Sequence, residues 1–330
     1  MIQSVPGLNR KGGLSLTDVL IIGGGPAGLT AGIYLCRARI KAMLLEQQTV
    51  GGQAMLSPLI ENYPGFPDGI EGATLMERMK EQAEKFGLEI LSFQGVEQLL
   101  IEGDKKIAVS GAKSFEARSA IITAGRSPKK LGIPGETEFT GRGVSYCATC
   151  DAPFFRDREI IVVGGGDAAI EESLHLASFA SKVTVVHRRS ELRASEYLEE
   201  RARANPKIEF LFNSELVELR GEKTLSSAVI LNNLTGEKQE LPVSGVFLYV
   251  GNVPNTGFLP AEVDLDENGY VKTNDRLETT APGVFAAGDV RSGSRKQVIC
   301  AAAEGAQAAM NAQGYLESTG ARKPYEGGSN

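Results

Sequence analysis

Two cysteines separated by two residues are the first group in the chain that could carry out chemistry. They are Cys147 and Cys150, and the carboxylate of Asp151 directly follows the second thiol. The chain has four cysteines, and the chance that any of their six pairs takes this spacing by accident is about 4%. Such a pair can cycle between dithiol and disulfide, and an adjacent acid can supply or remove a proton. We therefore expect a redox pair with an acid–base residue beside it; a local helix or turn cap is the alternative for Asp151.

The two remaining cysteines lie far from this pair in sequence. Cys36 and Cys300 fall in segments of helical composition, and we expect buried, unreactive thiols at both positions. A zinc site at the C-x-x-C would need two further ligands. The sequence has no second C-x-x-C and no H-x-x-x-H spacing, so we expect no metal.

A glycine-rich turn near the start of the chain indicates a dinucleotide site. The apolar run Thr17–Ile22 is followed by Gly-Gly-Gly-Pro-Ala-Gly over residues 23–28 and then by a segment of helical composition. Gly23, Gly25 and Gly28 fill the G-x-G-x-x-G positions. These allow a tight turn, close approach of a pyrophosphate to the backbone, and close packing of helix on strand. The N-terminus of the helix would then face the phosphates.

An acid stands where the ribose of this nucleotide would lie. A second apolar run, Ala42–Leu45, leads to Glu46, which is 18 residues beyond Gly28. A carboxylate at about this distance can bind ribose hydroxyls. Strand, glycine turn, helix and acid in this order predict a Rossmann-type unit, and a simple tight turn is the alternative.

The same pattern starts again after the cysteine pair. A strand-like run, Arg158–Val163, leads into Gly-Gly-Gly-Asp-Ala-Ala over residues 164–169, which we predict as a glycine turn, with a helix over Ile170–Phe179. The two glycine turns begin 141 residues apart. Each unit also closes on a strand followed by Gly-x-x-Pro, at Gly125 and at Gly251. This internal repeat predicts two α/β nucleotide-binding modules of related design.

The ribose position of the second module carries cations instead of an acid. His187 takes the register that Glu46 has in the first module, and Arg188, Arg189 and Arg193 follow it. Guanidiniums bind a 2′-phosphate bidentately, whereas a carboxylate would repel it. We therefore expect NADPH at the second module, with a solvated basic turn as the alternative. FAD is the nucleotide expected at the first module, because a hydride donor and a dithiol need a carrier that exchanges electrons with both.

No third module follows Gly251. The chain runs instead to a glycine-containing segment at 283–289 and a helical segment over about residues 297–316, and the simplest organisation is that this tail rejoins the first module. We predict an α/β fold with two Rossmann-like, three-layer ββα nucleotide-binding domains, the NADPH domain being inserted into the FAD domain. The predicted bounds are 17–127 and 253–330 for the FAD domain and 128–252 for the NADPH domain with the redox disulfide, after an N-terminal tail over 1–16.

Composition argues against several classes of function. The net charge of −6 makes a broad nucleic-acid surface unfavourable. No apolar run approaches the ~18 residues of a membrane helix, and residues 1–16 lack the apolar region of a secretory signal. We expect a cytoplasmic protein without a nucleic-acid or membrane partner.

Together these motifs resemble low-molecular-weight, bacterial-type thioredoxin reductase, a family of FAD- and NADPH-dependent pyridine nucleotide-disulfide oxidoreductases, over about residues 17–318. The segments that carry the resemblance are Gly23–Gly28, Glu61–Gly65, Gly141–Asp151, Gly164–Glu172, His187–Ala194 and Gly283–Asp289. The resemblance implies a thioredoxin-disulfide reductase that passes electrons from NADPH through FAD and the Cys147–Cys150 pair to thioredoxin. It implies a homodimer with one FAD per subunit. It makes Cys150 the thiol that meets the flavin, Cys147 the thiol that attacks thioredoxin, and Asp151 the acid–base residue.

The resemblance also implies residues that bind each cofactor and the partner. Around FAD it places Gly23, Gly25, Ala27, Gly28, Glu46, Gly52, Gln53, Asn62, Gly125, Gly288, Asp289, Lys296, Gln297 and Val298. Around NADPH it places Gly164, Gly166, Asp167, Ala168, His187, Arg188, Arg189 and Arg193. Arg142 and Phe154 are the candidate docking residues for thioredoxin. Lys296 stands where the family usually has arginine, and Pro153 stands where some members have an aromatic residue.

The expected chemistry also suggests a motion. Both the nicotinamide and the disulfide must approach the flavin to about 3–3.5 Å. Yet Cys150 and Gly164, which mark the redox pair and the NADPH loop, are only 14 residues apart in one module. We therefore expect the inserted module to rotate about its two linkers between two poses.

Other functions fit parts of the pattern. A dithiol oxidase of the same fold would pass electrons to oxygen, but it would not need the basic run at 187–189. A reductase of another redoxin-like partner would keep the same chemistry. The flavoprotein partner of a peroxide-reducing system usually carries an extra N-terminal redoxin region, for which 16 leading residues are too few. A non-enzymatic NADP sensor would leave the cysteine pair idle.

Overall fold

The computed structural model describes residues 17–57 and 59–320, without the side chains of Thr149 and Cys150; the predicted N-terminal tail, residues 1–16, lies outside this range. In chain order the strands are β1 (Thr17–Ile22), β2 (Ala42–Leu45), β3 (Glu89–Leu91), β4 (Gln98–Glu102), β5 (Lys105–Ser110), β6 (Lys113–Ile122), β7 (Arg126–Pro128), β8 (Val144–Ser145), β9 (Glu159–Val163), β10 (Lys182–Val186), β11 (Ile208–Leu211), β12 (Ser214–Gly221), β13 (Leu225–Asn232), β14 (Lys238–Pro242), β15 (Gly245–Leu248), β16 (Asn252–Pro254) and β17 (Val284–Ala286). The helices are α1 (Pro26–Arg37), α2 (Gly72–Lys85), α3 (Glu136–Phe139), α4 (Ala148–Asp151), α5 (Asp167–Ala177), α6 (Glu196–Ala204) and α7 (Val298–Ser318), with short 3-10 helices at Gly52–Leu56 and Ala152–Phe155.

The chain forms two compact units. The first contains the described residues up to Ser127 and those from Val253 onward, and the second is Pro128–Asn252. The chain passes from one unit to the other at β7 and returns at β16, and these two short strands pair with each other. Each unit has its own hydrophobic core.

The first unit is built on a seven-stranded sheet in the order β3-β2-β1-β6-β5-β4, with β17 also paired to β6. Strands β1, β2, β3, β6 and β17 are parallel, whereas β4 and β5 are antiparallel to their neighbours. Successive residues of β1 point to opposite faces. Val19 and Ile21 enter the core formed with α1, α2 and α7, while Leu20 and Ile22 enter two smaller cores. This central strand is therefore buried on both faces, as a parallel sheet requires.

The C-terminal helix completes the first unit. A Cβ at Gly305 of α7 would overlap the carbonyl of Ala27 in α1, so glycine allows the two helices to approach closely. Alanines of α7, including Ala308 and Ala312, are buried in the same core as Ala31 of α1. The last helix therefore packs directly behind the first glycine turn.

The second unit has three layers. Its central sheet is parallel, in the order β11-β10-β9-β15-β8, and a separate antiparallel sheet has the order β12-β13-β14. In β9, Ile160 and Val162 pack with residues of α5 and α6, whereas Ile161 and Val163 pack with the antiparallel sheet. This alternation confirms the predicted α/β class and the ββα layering of this unit.

Several predicted helix boundaries were wrong. Helix α5 begins at Asp167 and not at Ile170, and α1 begins at Pro26 and not after Gly28. Both glycine turns are therefore shorter than predicted. Proline has the φ angle of a first helical residue, and an aspartate is favourable at a helix N-terminus, so each helix can begin before its glycine motif ends. At the other predicted boundaries the differences are at most two residues, as where β9 begins at Glu159 instead of Arg158.

Within residues 17–57 and 59–320, no helix combines the length and the apolar character that crossing a bilayer demands.

Candidate functional site

The first glycine turn forms an open cradle at the N-terminus of α1. Gly23 has a φ of +112°, and a Cβ there would collide with the backbone of Thr123. A Cβ at Gly28 would collide with the carbonyl of Gly23. Gly25, by contrast, has no atom within 4 Å of the place its Cβ would take. Two glycines are therefore needed for packing, and the third leaves free space in front of the helix. This is the shape that the pyrophosphate of FAD would fill.

Glu46 lies against this cradle. Its Oε2 accepts a hydrogen bond from the amide of Gly24 at 2.7 Å, and its Oε1 accepts one from the amide of Gln48 at 2.9 Å. The carboxylate is therefore fixed at the end of β2, beside the glycine turn. Each oxygen keeps a lone pair for a ribose hydroxyl.

Contacts of predicted FAD residues join distant segments of the first unit. Gly52 lies close to the cradle, because a Cβ there would be 3.3 Å from the Cα of Gly25. Gln53 donates from Nε2 to the carbonyl of Arg126 at 2.7 Å. Asn62 donates from Nδ2 to Oε1 of Gln297 at 3.0 Å. The structure thus brings together predicted FAD residues from segments up to 235 positions apart.

Asp289 sits at the edge of this group with a partner that the sequence analysis missed. Arg126 donates from Nε to its Oδ2 at 3.0 Å. Burial raises the pKa of Asp289, and the charge of Arg126 acts in the opposite direction. Arg126 directly follows Gly125 of the Gly-x-x-Pro motif, and that position was the only signal for it.

A second missed residue holds the turn before Asp289. Glu304 accepts hydrogen bonds from the amide of Gly288 at 2.7 Å and from Arg291 at 2.7–2.8 Å. Gly288 also lies close to the cradle, since a Cβ there would be 3.1 Å from the Cβ of Ala27. The sequence predicted Gly288 but not the acid that positions it.

Two other predicted FAD residues are placed less directly. Lys296 has a φ of +57° and directs its ammonium towards Tyr270, 3.3 Å from the hydroxyl and 4.7 Å from the ring centroid. Val298 is the first residue of α7 and packs against the first core. The structure thus gives Lys296 an aromatic partner within its own unit, and the charge of Lys296 opposes the rise that burial causes in the pKa of Asp289.

The second glycine turn forms a similar cradle before α5. Gly166 has no atom within 4 Å of a Cβ, and a Cβ at Gly164 would approach the carbonyl of Tyr249 to 2.7 Å. Asp167 begins α5, followed by Ala168. The carboxylate of Asp167 accepts a hydrogen bond from the amide of Ser195 at 2.7 Å. Again there is free space before a helix N-terminus, of the kind that a dinucleotide phosphate needs.

His187 packs against the second glycine turn. The side chain is buried, and a Cβ at Gly165 would collide with its ring. Its Nε2 has no hydrogen-bond partner among the described residues. Burial and the charges of the neighbouring arginines lower its pKa. A neutral imidazole is therefore packed directly beneath the glycine turn.

Three exposed guanidiniums follow His187. Arg188, Arg189 and Arg193 are exposed, and among the described residues none of them forms an ion pair with a carboxylate. The amide of Arg193 donates to the carbonyl of Gly165 at 2.6 Å, which ties the basic loop to the cradle. Unpaired guanidiniums at this position are suited to the 2′-phosphate of NADPH.

The segment with the C-x-x-C motif, residues 147–151, lies in the same unit and is called the redox turn below. Cys147 is disulfide-bonded; the side chain of Cys150 lies outside the described part of the chain. The hydroxyl of Ser145 accepts a hydrogen bond from the amide of Cys147 at 3.0 Å. Asp151 precedes the 3-10 helix Ala152–Phe155, but its carboxylate makes no capping hydrogen bond. The capping alternative for Asp151 therefore has no support in the structure.

Two tyrosines hold this turn to the rest of the unit. The hydroxyl oxygen of Tyr249 accepts a hydrogen bond from the amide of Ala148 at 2.8 Å. Tyr146 donates from its hydroxyl to Oε1 of Glu136 at 2.7 Å. Burial and Glu136 raise the pKa of Tyr146, and burial with the charge of Glu172 raises that of Tyr249. Both tyrosines therefore stay protonated and serve as hydrogen-bonding anchors.

The two candidate docking residues are exposed. Phe154 has 78% of its surface accessible to solvent, which is high for a phenylalanine. Arg142 is exposed as well, and its carbonyl accepts a hydrogen bond from the amide of Leu225 at 2.9 Å. Both belong to the unit that carries the redox turn.

The remaining cysteines are free thiols. Cys36 and Cys300 are half-buried, and burial raises the pKa of Cys36. The expectation of buried thiols is therefore met only in part, and the raised pKa of Cys36 agrees with an unreactive thiol there. Among the described residues, no three histidine, cysteine, aspartate or glutamate side chains are grouped to hold a metal ion.

Comparison with known proteins agrees with this geometry. Residues 17–305 match the model of the family described as pyridine nucleotide-disulphide oxidoreductase. A thioredoxin reductase of Peptoclostridium acidaminophilum is 45% identical over 91% of this chain and 97% of its own length, and one of Bacillus subtilis is 44% identical over 91% and 95%. The crystal structure of Lactococcus lactis thioredoxin reductase superposes with a TM-score of 0.86 at 42% identity, covering 92% of this chain and 99% of the other. The resemblance inferred from the motifs is thus confirmed, and the chain belongs to the pyridine nucleotide-disulphide oxidoreductases and, within them, to the thioredoxin reductases.

Proposed function

We propose that this chain reduces thioredoxin with electrons from NADPH, with FAD bound by the first unit and NADPH by the second. FAD and NADPH are the cofactors of the family to which it belongs. One observation carries the proposal furthest. The two glycine cradles have opposite charges at their ribose ends, a fixed carboxylate at Glu46 and free guanidiniums at Arg188 and Arg189. The disulfide-bonded Cys147 lies in the unit with the guanidiniums.

The chain contributes binding and orientation to this reaction. FAD, when bound, takes an electron pair from NADPH and delivers it to a disulfide. The free space beside Gly25 and Gly166 supports binding of the two pyrophosphates. Glu46 and the Arg126–Asp289 pair support binding of the flavin nucleotide, and the basic loop after His187 supports selection of the 2′-phosphate.

The remaining step is thiol–disulfide exchange. In the proposed sequence the Cys147 thiolate attacks one sulfur of the thioredoxin disulfide, and the other thioredoxin sulfur leaves as a thiolate. Cys150 then attacks the sulfur of Cys147, which releases the second thioredoxin thiolate and restores the Cys147–Cys150 disulfide. Two electrons and two protons pass from the enzyme dithiol to thioredoxin. Asp151, which follows Cys150 in sequence and whose carboxylate makes no helix-capping hydrogen bond, is the proposed acid–base residue.

The surface of the second unit supports a protein substrate. A solvent-exposed aromatic side chain is a common anchor at interfaces, and Phe154 lies four residues from Cys150. Arg142 adds a positive charge. We propose these two residues as contacts for thioredoxin, and we propose a homodimer in the cytoplasm without a membrane partner. The rotation of the inserted unit remains a prediction.

A spectroscopic experiment tests the proposed function. NADPH added without oxygen should bleach the yellow colour of the purified protein, and oxidised thioredoxin should restore it. A dithiol oxidase would be bleached by small dithiols and recoloured by oxygen, with no need for NADPH. A protein without flavin, or one that NADPH bleaches and thioredoxin does not recolour, would contradict the proposal.

A further inference from the structure

Glu172, on α5 of the second unit, has a buried carboxylate oxygen and takes no part in the proposed exchange of disulfides. The Oε2 atom of Glu172, on α5, is buried and has no hydrogen-bond partner among the described residues. An ionised carboxylate is unfavourable there, because a buried oxygen without a donor loses its hydration and gains nothing in return. Burial, together with the charge of Glu171, raises the pKa of Glu172 to about 7. This side chain can therefore change its charge near neutral pH.

The redox turn and α5 share one core. Ala148, which follows Cys147, and Ala152, which follows Asp151, are buried in one core with Ala169 and Ile170 of α5. A close-packed core transmits changes in its polar groups because side chains there have little room to move. The carboxyl of Glu172 is thus on a helix that packs against the turn.

Tyr249 provides the polar connection. Its hydroxyl oxygen accepts the hydrogen bond from the amide of Ala148, the residue after Cys147. The hydroxyl proton remains available to donate to a second acceptor. Two negative charges act on Tyr249, and that of Glu172 has a stronger effect than that of Asp151. The carboxyl therefore lies close enough to Tyr249 to influence its hydroxyl.

We propose that Glu172, acting through Tyr249, is a positioning residue that couples the thiolate content of the reduced redox pair to the charge of this buried carboxyl. The inference rests on the redox pair proposed above. When Glu172 is protonated, the turn has a neutral neighbour. When Glu172 is ionised, its negative charge acts on the hydroxyl of Tyr249, which holds the amide of Ala148, and a like charge close to the redox pair disfavours a thiolate. The thiolate is thus harder to form above the titration range of Glu172 than below it.

The other charges around this network have the same sign. Glu171 acts on Glu172 from the same helix, and Asp151 acts on Tyr249 from the redox turn. Among the described residues, no cation contributes to the pKa of either group. Ionisation of Glu172 is therefore not compensated locally.

The test measures the thiolate by alkylation. The holoenzyme is reduced, and its reaction with iodoacetamide is followed from pH 6 to pH 9. The alkylation rate of the wild type, plotted against pH, should not follow the titration curve of a single group but should show a further step near pH 7. Glu172→Gln keeps the shape of the side chain but cannot ionise, so it should give a single titration, with alkylation about threefold faster at pH 8. The matched control Glu200→Gln, an exposed carboxylate of α6, should follow the wild type.

A second variant tests the route through the tyrosine. Tyr249→Phe removes the hydroxyl and keeps the ring, and it should lose the further step near pH 7 as Glu172→Gln does; it also serves if Glu172→Gln fails to fold. A wild-type profile with a single titration, or a Glu172→Gln profile that matches the wild type, overturns the inference. A further step that persists in Tyr249→Phe overturns the role of Tyr249. Thioredoxin reduction by the wild-type enzyme is measured in parallel, and its absence would count against the proposed function instead.

Discussion

The guanidinium of Arg126 lies 3.0 Å from the carboxylate of Asp289, 163 residues further along the chain. The carbonyl of the same arginine accepts the side-chain amide of Gln53 at 2.7 Å. One residue thus joins three distant segments of the first unit. Burial raises the pKa of Asp289, and Arg126 opposes that effect, so the arginine favours the charged carboxylate at the edge of the first glycine cradle.

Removal of this guanidinium should weaken FAD binding. In Arg126→Gln the half-buried Asp289 loses its charged partner, and a hydrogen bond to a charged group contributes about 1.5–3 kcal/mol. We expect the dissociation constant of FAD to rise about tenfold. The measurement is the recovery of flavin fluorescence during dialysis. The control is Arg276→Gln, which breaks an exposed ion pair with Glu278 in the same unit and should retain its flavin.

Substitutions in the basic loop should change the nucleotide preference. Arg188→Ser with Arg189→Ser removes two candidate ligands of the 2′-phosphate, so KM for NADPH should rise about a hundredfold, from two charge-assisted bonds. KM for NADH should change little. Steady-state kinetics with both nucleotides measure this. Arg201→Ser, which removes another guanidinium of the same unit, should leave the ratio unchanged; equal losses with NADPH and NADH would show that the loop does not recognise the phosphate.

Glu136 should make stability depend on acid pH. Burial alone would raise its pKa, but hydrogen bonds from the hydroxyl of Tyr146 and the amides of Leu131 and Gly132 outweigh burial and lower the pKa below its usual range. A carboxyl with a lowered folded-state pKa stabilises the fold above its unfolded pKa of about 4.3. This contribution is lost as the pH falls through the folded-state value.

Glu136→Gln should therefore destabilise the second unit at pH 7 by about 1–3 kcal/mol. The difference from the wild type should shrink as the pH falls from about 4.3 towards 3, and urea unfolding at several pH values measures it. Glu138→Gln, on the same short helix and exposed, is the matched control. If the stability difference between Glu136→Gln and the wild type stays constant down to pH 3, the charge of Glu136 does not stabilise the second unit.

Phe154 should matter for the protein substrate and not for a small one. Phe154→Ala removes an exposed aromatic anchor, so KM for thioredoxin should rise about tenfold, the effect of about 1.4 kcal/mol at an interface. Reduction of a small aromatic disulfide should be unaffected. Phe93→Ala, which truncates an exposed phenylalanine of the first unit, should alter neither rate. An unchanged KM for thioredoxin would place the docking surface elsewhere.

Local patterns in the sequence were sufficient for the framework of the fold. Strands β1 and β2 have the predicted bounds, because a short apolar run next to a turn has few alternative structures. The glycine turns were located correctly, since their spacing reflects close packing within a few residues. The starts of α1 and α5 were missed, because the third glycine position can already lie inside the helix.

Side-chain partners could not be predicted in this way. Arg126 with Asp289, Tyr249 with Ala148, and Glu136 with Tyr146 are contacts set by how strands and loops come together. A sequence shows that a polar residue is present, but not which distant group satisfies it when it is buried. For the same reason the sequence indicates only a helix residue at Glu172, whereas the structure shows a buried oxygen without a partner in the part of the chain that it describes.

The most direct test of the account traps the exchange itself. In Cys150→Ser, Cys147 has no second thiol to resolve a mixed disulfide. Incubation of the reduced variant with oxidised thioredoxin should therefore give a covalent 1:1 complex, which dithiothreitol cleaves. Cys147→Ser should give no such complex, and neither variant should turn over NADPH with thioredoxin. Full thioredoxin turnover by either serine variant would contradict the assignment of Cys147 and Cys150 as the path by which electrons leave the enzyme.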